Sequence, residues 1–335
     1  MKFEHETLAQ RVVFAPGEAA AAVREEVARQ GAHRVLMIGR TVLDGLPNVR
    51  LHDEVVMHVP VEVAERARAA ATEHRADVIV CLGGGSATGL AKAVALTTGI
   101  PIIAVPTTYA GSEATTVWGL TEGARKTTGS DPRVLPRVIV YDETLTHSLP
   151  AESSVASGLN ALAHCIDSMW APRADPINAA LAAEGIRALA SALPELRRAE
   201  ALYGAYLAGV AFASAGSGLH HKICHVLGGI YNLPHAPTHA VVLPHVLALN
   251  GPAAPAATRR IAQAFGSDAA LAGLQALRIR LNAPRALRDY GFTEEQIPAA
   301  AAAILPAVPP TNPVAVTGDD LERLLHNAWE GAEPR

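Results

Sequence analysis

The segment from Gly218 to His245 gathers side chains that can do chemistry at high density. Apolar residues and paired glycines separate its histidines, and almost no charge lies nearby. An imidazole can donate or accept a hydrogen bond, transfer a proton or bind a metal. Such a group in an apolar setting predicts a pocket that serves a reaction. The segment contains six of the chain's 14 histidines: His220, His221, His225, His235, His239 and His245.

A second polar pair belongs with these histidines by its spacing. Asn160 and His164 lie four residues apart in a helical stretch and therefore share one face, as do His221 and His225. Together with His235, these groups are able to enclose a metal ion or a small polar substrate. Neutral imidazoles and an amide bring no negative charge to a divalent cation, which favours the substrate. An isolated histidine pair is more often a core or surface feature, but six histidines in one short segment reverse that balance.

A glycine turn indicates phosphate binding in the first half of the chain. Gly83, Gly84, Gly85 and Ser86 follow an apolar strand and open a helix. Glycines let the backbone approach a phosphate closely, and the start of a helix offers free N–H groups to an anion. This placement favours phosphate binding over a plain tight turn. The motif is not the GxGxxG dinucleotide fingerprint, so the cofactor cannot be inferred from it alone.

Two further features follow strands, where a doubly wound sheet binds its ligands. The loop after the next strand carries the hydroxyls of Thr107, Thr108 and Ser112, which either contact a ligand or cap the local backbone. Arg40 follows the predicted strand at 33–39. NAD-selective proteins usually have an acidic residue near that position to bind the ribose, whereas a cation is compatible with the 2′-phosphate of NADP.

The residue pattern changes near the middle of the chain, which predicts two domains. Up to about Pro150, short β-branched runs alternate with helical stretches, which predicts a doubly wound, mostly parallel sheet covered by helices in residues 1–152. Beyond that point β-branched runs nearly vanish and helical periodicity dominates, which predicts an all-helical domain in residues 153–335. The strands are expected at 12–14, 33–39, 54–59, 77–85, 100–108 and 137–142.

Composition limits the classes of protein. A chain of 335 residues is long enough for two domains, and a net charge of −4 without a basic tract argues against a nucleic-acid partner. No uncharged apolar run reaches the roughly 18 residues of a membrane-spanning helix, and the N-terminus lacks the apolar core of a signal peptide. The three cysteines form no CxxC motif and are expected to be buried and reduced, as in a cytoplasmic protein. The alanine-rich composition favours an apolar surface and a dimer.

Four segments resemble the iron-containing (group III) alcohol dehydrogenase superfamily, in matching order over nearly the whole chain. They are CLGGGSATGLAKA, AVPTTYAGSE, SGLNALAHCID and HHKICHVLGGIYNLPHAPTHAVVLPH. Within the superfamily the chain is most similar to the maleylacetate reductases. That resemblance implies a dehydroquinate synthase-like fold, a homodimer and NADH or NADPH as cofactor. It also implies reduction of the carbon–carbon double bond of maleylacetate, a small dicarboxylate, to 3-oxoadipate in the degradation of aromatic compounds.

The resemblance also implies which residues correspond to a metal site. In metal-dependent members an aspartate and three histidines hold iron or zinc, and these places correspond to Asn160, His164, His221 and His235. The carboxylate has become an amide, and Gly89 stands where most of the superfamily has aspartate. Both departures favour the maleylacetate reductases, a branch able to work without metal. No metal is therefore expected, and if one binds, its ligands are His164, His221 and His235.

Roles for the site residues follow from the implied reaction. Conjugate reduction needs a proton donor, and it needs hydrogen-bond donors for the enolate oxygen and the two carboxylates. We expect His225 to donate the proton and His221 to stabilise the enolate oxygen or a carboxylate, while Lys222 receives a carboxylate. The glycine turn is expected to bind the pyrophosphate, and Thr107 and Thr108 to line the nicotinamide end. Three further residues are expected to orient the substrate: His164, Asn160 and His235.

Two other functions stay open at this point. One is a metal-dependent alcohol or polyol dehydrogenase that acts on a C–OH bond, against which Asn160 argues. The other is a nucleotide-binding regulator that has lost catalysis, against which the intact set of histidines argues. Metal analysis discriminates the first alternative from the reductase, and oxidation of NADH or NADPH by maleylacetate discriminates the second.

Overall fold

Two compact units make up the chain. The computed structural model describes residues 2–123 and 125–334, with the backbone alone at 125 and 126. The α/β unit spans Leu8–Leu149. The helical unit combines the first residues, up to Thr7, with the chain from Pro150 onward.

The α/β unit is a parallel sheet with helices on both faces. Its strands are β1 (Arg11–Phe14), β2 (Val35–Ile38), β3 (Val49–His52), β4 (Val78–Gly83), β5 (Ile102–Pro106), β6 (Val117–Glu122), β7 (Arg125–Ser130) and β8 (Val138–Tyr141). Its α-helices are α1 (Ala19–Arg29), α2 (Val61–His74) and α3 (Gly85–Thr98). Six strands pair in the order β1-β8-β5-β4-β2-β3, all parallel, while β6 and β7 form a separate antiparallel hairpin.

The central strands are apolar throughout because both faces of the sheet are covered. Helix α1 packs with Val35 and Met37 on one face. Helices α2 and α3 pack with Leu36 and Ile38 on the other. Successive side chains of a strand point to opposite faces, so a strand buried on both sides has no polar position. The burial of each aliphatic side chain stabilises the fold by roughly 1.5–3 kcal/mol. The middle of the sheet is therefore a stable support for the loops.

The parallel arrangement places the ends of three strands at one edge. β2 pairs with β3 on one side and with β4 on the other, so the order of the chain reverses between β2 and β4. In doubly wound sheets, ligands bind beside the carboxyl ends of the strands at such a switch point. The loops after β2, β4 and β5 are therefore the candidate ligand loops of this unit.

The strand predicted at 54–59 is wrong. The strand in this part of the chain is β3, which ends at His52. Residues His58 and Val59 have φ angles of +63° and +51°, in the left-handed region that a β-strand does not use. Alternating apolar residues suggested a strand there, but the backbone turns instead to enter α2 after Pro60.

The helical unit contains helices and no strand among the residues described from Pro150 onward, so the predicted fold class is confirmed. The predicted boundary between residues 152 and 153 falls within the first turn of its first helix. These helices are α4 (Ala151–Ser168), α5 (Pro176–Ala192), α6 (Arg198–Ala215), α7 (Leu219–Tyr231), α8 (His235–Asn250), α9 (Pro255–Phe265), α10 (Ala270–Arg280), α11 (Ile297–Ile304) and α12 (Gly318–Glu330).

Helix α4 is the central helix of this unit. Every residue from Ser154 to Ser168 is buried. A helix buried all round has no solvent-facing stripe, so each polar side chain on it must find a partner inside the protein or in a ligand. The polar residues of α4 are therefore the natural starting point for a site.

No single helix among the described residues is both long and apolar enough to cross a bilayer. Helices α6 and α7 reach that length and composition only as a pair, with a 99° bend at the break between them.

Candidate active site

The glycine turn lies between β4 and α3, at the carboxyl edge of the sheet. β4 ends at Gly83, Gly84 is the N-cap residue, and α3 begins at Gly85 with none of the described side chains capping it. The N–H groups of the first turn are therefore available to an anion. Gly83 has a φ of +156°, and a Cβ added at Gly84 would lie 2.9 Å from Thr108 Cγ2. Both positions need glycine, as expected where a backbone approaches a phosphate.

The second predicted loop lies beside this turn. β5 runs parallel to β4, and the N–H of Thr107 donates to the carbonyl of Gly83 at 3.0 Å. Arg40 is exposed just after β2, the other neighbour of β4. Nucleotide binding by the residues of these loops stays a prediction. The structure places all the predicted nucleotide-binding residues at one edge of the sheet: Arg40, Gly83, Gly84, Gly85, Ser86, Thr107, Thr108 and Ser112.

A buried lysine that the sequence reasoning missed fixes the second loop. Lys92 of α3 is fully buried, and its Nζ donates to Ser112 O at 2.6 Å, Thr115 O at 2.8 Å, Val117 O at 2.8 Å and Thr115 Oγ1 at 3.0 Å. Burial lowers the pKa of Lys92 to about 7. Nearby Glu113 is buried as well and accepts from Tyr141 Oη at 2.8 Å. We call this group the Lys92 cluster: Lys92, Ser112, Glu113, Thr115, Val117 and Tyr141.

The predicted histidines of the helical unit come together from α4, α7 and α8. The rings of His164 and His221 stack with centroids 5.0 Å apart, and Phe212 of α6 lies 4.8 and 4.3 Å from them. The ring of His239 lies 5.1 Å from His221 and 4.3 Å from His235, so it joins these groups. We call the group the histidine cluster: Asn160, His164, His220, His221, His225, His235 and His239.

The members of the histidine cluster differ in depth. His164 and His221 are buried with Asn160, whereas His225 and His235 are exposed. The ring of His225 lies 6.2 Å from that of His221, which places it at the exposed rim of the cluster. Lys222, the predicted carboxylate partner, is half-buried on α7. The structure thus brings together the histidines predicted for the chemistry, while the role of each stays a prediction.

Asp167 is the principal residue that the sequence reasoning missed. It lies on α4 with no exposed surface, and its Oδ2 accepts from His221 Nδ1 at 2.7 Å and from the N–H of Gly218 at 2.8 Å. Burial raises the pKa of Asp167. A signal was present in the sequence, since Asn160, His164 and Asp167 are spaced by four and three residues and therefore share one helical face.

A second missed contact joins two of the six histidines that had no assigned role. His220 Nε2 lies 2.9 Å from His239 Nδ1, and Cys224 Sγ lies 3.7 Å from the same His220 nitrogen. All three residues are buried. This pairing holds α7 against α8 on the inner side of the cluster.

The buried imidazoles are neutral near pH 7. Burial lowers the pKa of His164 to about 4, and it lowers the pKa values of His220, His221 and His239 well below their usual 6.5. Buried polar atoms in proteins are almost always hydrogen-bonded, so a concentration of unpaired ones indicates a place for a polar ligand. Several buried atoms here have no hydrogen-bond partner among the described residues: Asn160 Oδ1, His164 Nδ1, His220 Nδ1, His221 Nε2 and His239 Nε2.

The donor set lacks the carboxylate ligand of the family's metal-dependent members. A cation between Asn160, His164, His221 and His235 would meet one amide and three imidazoles, and the buried carboxylate of Asp167 already accepts from His221 Nδ1 at 2.7 Å. In a second group, His220, Cys224 and His239, the potential ligand atoms lie within 4.8 Å of one another. Two of those atoms already bond each other at 2.9 Å.

The fold and the sites define a class. A doubly wound sheet with a glycine turn at its switch point, combined with a buried histidine cluster, is an arrangement suited to a nicotinamide-dependent oxidoreductase. Residues 9–143 match the model of iron-containing alcohol dehydrogenases, and residues 154–329 match the C-terminal model of the Fe-containing alcohol dehydrogenase family. The chain belongs to the iron-containing alcohol dehydrogenase family.

Individual relatives show which members of the family this chain is similar to. The maleylacetate reductase of Sphingobium indicum is 42% identical over 353 aligned positions, which cover 100% of this chain and 99% of that protein. The crystal structure of an iron-containing alcohol dehydrogenase from Corynebacterium glutamicum matches with a TM-score of 0.96 and 58% identity, over 98% of this chain and 97% of that one. The maleylacetate reductase of Agrobacterium tumefaciens matches with a TM-score of 0.93 and 40% identity over 100% of both chains. The resemblance to maleylacetate reductases is thereby confirmed.

Proposed function

We propose that this chain catalyses the NAD(P)H-dependent reduction of the carbon–carbon double bond of maleylacetate to 3-oxoadipate, in the degradation of aromatic compounds. The observation that carries the proposal is the histidine cluster, in which several buried polar atoms have no hydrogen-bond partner among the described residues. Full-length relatives named maleylacetate reductase support the choice of substrate. A small dicarboxylate with a conjugated ketone offers enough oxygens to pair those atoms.

The carboxyl edge of the sheet is the proposed nucleotide site. The glycine turn and the start of α3 would hold the pyrophosphate, with Thr107, Thr108 and Ser112 towards the nicotinamide. Arg40 is exposed at the end of β2, where a cation is compatible with the phosphate of NADPH as well as with NADH. When bound, the reduced nicotinamide supplies the hydride.

The histidine cluster is the proposed site of proton transfer and substrate orientation. Addition of hydride to one alkene carbon leaves an enolate, which needs a donor at its oxygen and a proton at the neighbouring carbon. We assign the proton to His225, which lies at the exposed rim, and the enolate oxygen or a carboxylate to His221. Lys222 is the proposed partner of a carboxylate. The residues proposed to orient the substrate are Asn160, His164 and His235.

We propose that the reaction requires no metal ion. An amide occupies the position that corresponds to the family's aspartate, and the remaining donors are uncharged. A metal-dependent alcohol dehydrogenase is the second candidate, because a structure 58% identical to this chain is named an iron-containing alcohol dehydrogenase. Metal analysis of protein purified without chelators separates the two: stoichiometric iron or zinc would support the second candidate.

The assay that tests the function uses maleylacetate with NADH and, separately, NADPH. The proposal predicts loss of the reduced-nicotinamide absorbance in proportion to the maleylacetate added. Simple alcohols with the oxidised cofactors are expected to give no reaction, because hydride transfer from a C–OH group in this family relies on a metal site whose carboxylate is replaced here. No oxidation with either reduced cofactor would contradict the proposal and favour a nucleotide-binding regulator.

We further propose that the protein acts in the cytoplasm as a homodimer. All three cysteines are free and buried, which supports a reducing compartment. The dimer is inferred from the family resemblance. Sedimentation equilibrium at micromolar protein concentration tests it, and a monomer at those concentrations would contradict it.

A further inference from the structure

The carboxylate of Asp167 is hydrogen-bonded to the ring of His221, at the centre of the histidine cluster. Its side chain has no exposed surface, and the His221 side chain is 2% exposed, so water does not compete for the 2.7 Å contact between Oδ2 and Nδ1. The same carboxylate lies on α4, one turn after His164, whose ring stacks on His221. One side chain therefore links the two helices that carry these imidazoles.

Backbone donors hold this carboxylate in place. The N–H of Gly218 donates to Oδ2 at 2.8 Å and the N–H of His220 donates to Oδ1 at 3.4 Å, both at the start of α7. Free N–H groups and the helix dipole favour a carboxylate there. Gly218 is needed for this approach, since a Cβ at that position would overlap the Asp167 carboxylate.

These contacts determine which nitrogen of His221 a ligand can reach. Two backbone N–H groups donate to the oxygens of Asp167 and favour its ionised form, which can accept only from a protonated Nδ1 of His221. The ring is then oriented with Nε2 on the other side, and Nε2 is a buried atom without a hydrogen-bond partner among the described residues. The hydrogen bond on one ring nitrogen sets both the tautomer and the direction of the other.

We propose that Asp167 is the positioning residue of the site: its hydrogen bond holds His221 with Nε2 directed at the substrate. This inference rests on the proposed function for its effect on turnover, because it assigns Asp167 a role through His221 rather than a contact with substrate. The orientation itself concerns the resting protein and is testable without substrate.

Three variants test whether the Asp167 side chain acts by orienting the His221 ring. Asp167→Asn keeps an oxygen able to accept from Gly218 and His221, so the proposal predicts kcat within about tenfold of the parent. Asp167→Ala removes the acceptor, and Gly218→Ala displaces it while leaving the carboxylate in the chain. Both are expected to lower kcat by roughly 100-fold, the contribution of a positioned proton-transfer or hydrogen-bonding group, with a smaller change in KM.

The chain offers a matched control in the same unit. His5 Nδ1 lies 2.8 Å from Asp175 Oδ2, and Asp175 also accepts from the N–H groups of Ile177 and Asn178 at the start of α5. This pair is nearly as buried as the first, with side chains 8% and 3% exposed. Asp175→Ala therefore removes an equivalent buried hydrogen bond, and it is expected to lower stability like Asp167→Ala while leaving kcat unchanged.

Nitrogen-15 NMR of the histidine rings gives a readout that does not depend on turnover. The proposal predicts one His221 tautomer, protonated on Nδ1, in the parent and in Asp167→Asn. It predicts mixed tautomers in Asp167→Ala and Gly218→Ala. An unchanged His221 tautomer in Asp167→Ala would overturn the proposal, as would a kcat for Asp167→Asn as low as that of Asp167→Ala. If the parent protein fails to reduce maleylacetate but the tautomers follow this pattern, the proposed function fails and the positioning role stands.

Discussion

Two buried polar clusters of this chain are built on opposite principles. In the Lys92 cluster of the α/β unit, Nζ of Lys92 donates to four oxygen acceptors at 2.6–3.0 Å. In the histidine cluster of the helical unit, several buried nitrogen and oxygen atoms have no partner among the described residues. A saturated cluster has nothing left to offer a ligand, whereas an unsaturated one is stabilised when a ligand binds. We therefore expect the Lys92 cluster to stabilise the fold and the histidine cluster to bind the substrate.

The largest expected effect is on activity, at the two histidines assigned to the reaction. His221→Ala and His225→Ala are each expected to lower kcat/KM for maleylacetate by about 10²–10⁴-fold, the usual contribution of a proton-transfer group. Steady-state kinetics at saturating NADH or NADPH measures this. His326→Ala on α12, a partly exposed histidine outside the cluster, is the control and should keep full activity. Near-normal kcat/KM in both cluster variants would eliminate the roles assigned to them.

The next effect is on stability, in the Lys92 cluster. Lys92→Met keeps the length of the side chain but removes the donor shared by Ser112, Thr115 and Val117, and it leaves the buried oxygens of Thr115 without that donor. A buried group left unpaired costs about 1–3 kcal/mol, so we expect a loss of roughly 2–4 kcal/mol after the gain from removing a buried charge. Denaturant unfolding followed by a signal of the α/β unit measures it. A variant as stable as the parent would show that the cluster is not structural.

The pH dependence of stability gives a second test of the Lys92 cluster. Burial lowers the pKa of Lys92 from 10.5 to about 7, so above pH 7 the unfolded chain binds a proton that the native chain has lost. Stability rises with pH wherever the unfolded state binds more protons. This group alone should therefore add about 2 kcal/mol between pH 7 and pH 9, and the gain is lost again as the pH falls through 7.

Lys92→Met is the comparison for this contribution, because the variant lacks the titrating amino group and keeps the other ionisable residues of the protein. Denaturant unfolding of both proteins at pH 7 and pH 9 gives the difference. A parent whose stability changes with pH in the same way as the variant would contradict the pKa shift assigned to Lys92.

The smallest effect has the opposite sign and belongs to the histidine cluster. Asn160→Leu replaces a buried side chain whose Oδ1 has no described partner with an apolar one of similar size. We expect stability to stay level or rise by about 1 kcal/mol, while activity falls because substrate loses a partner. Parallel unfolding and kinetic measurements check both. A loss of stability as large as that of Lys92→Met would remove the distinction between the two clusters.

The architecture could be predicted from the sequence because its signals are local. Apolar strands alternating with helices predict a parallel sheet covered on both faces, and the glycine turn between β4 and α3 lies where the pattern of residues 77–98 put it. The strand predicted at 54–59 failed because His58 and Val59 adopt left-handed backbone angles. Side-chain alternation there resembled that of a strand, and the turn into α2 has no glycine to mark it.

The members of the site could be predicted only in part. Histidine density and the four-residue spacing of Asn160 and His164 pointed to the cluster, which the structure brings together from three helices. Asp167 shares that helical face but looked like any acidic residue, because a sequence does not show that α4 is buried all round. The Lys92 cluster was missed for the same reason, since nothing local distinguishes a buried lysine from a solvated one.

The most direct test of the whole account is turnover of maleylacetate by protein whose metal content is measured on the same sample. If the histidine cluster binds a polar substrate and no metal ion, the protein keeps full activity with NADH or NADPH after chelation. Adding iron or zinc then gives no gain in activity. Activity that disappears with chelation and returns with a stoichiometric divalent ion would contradict it.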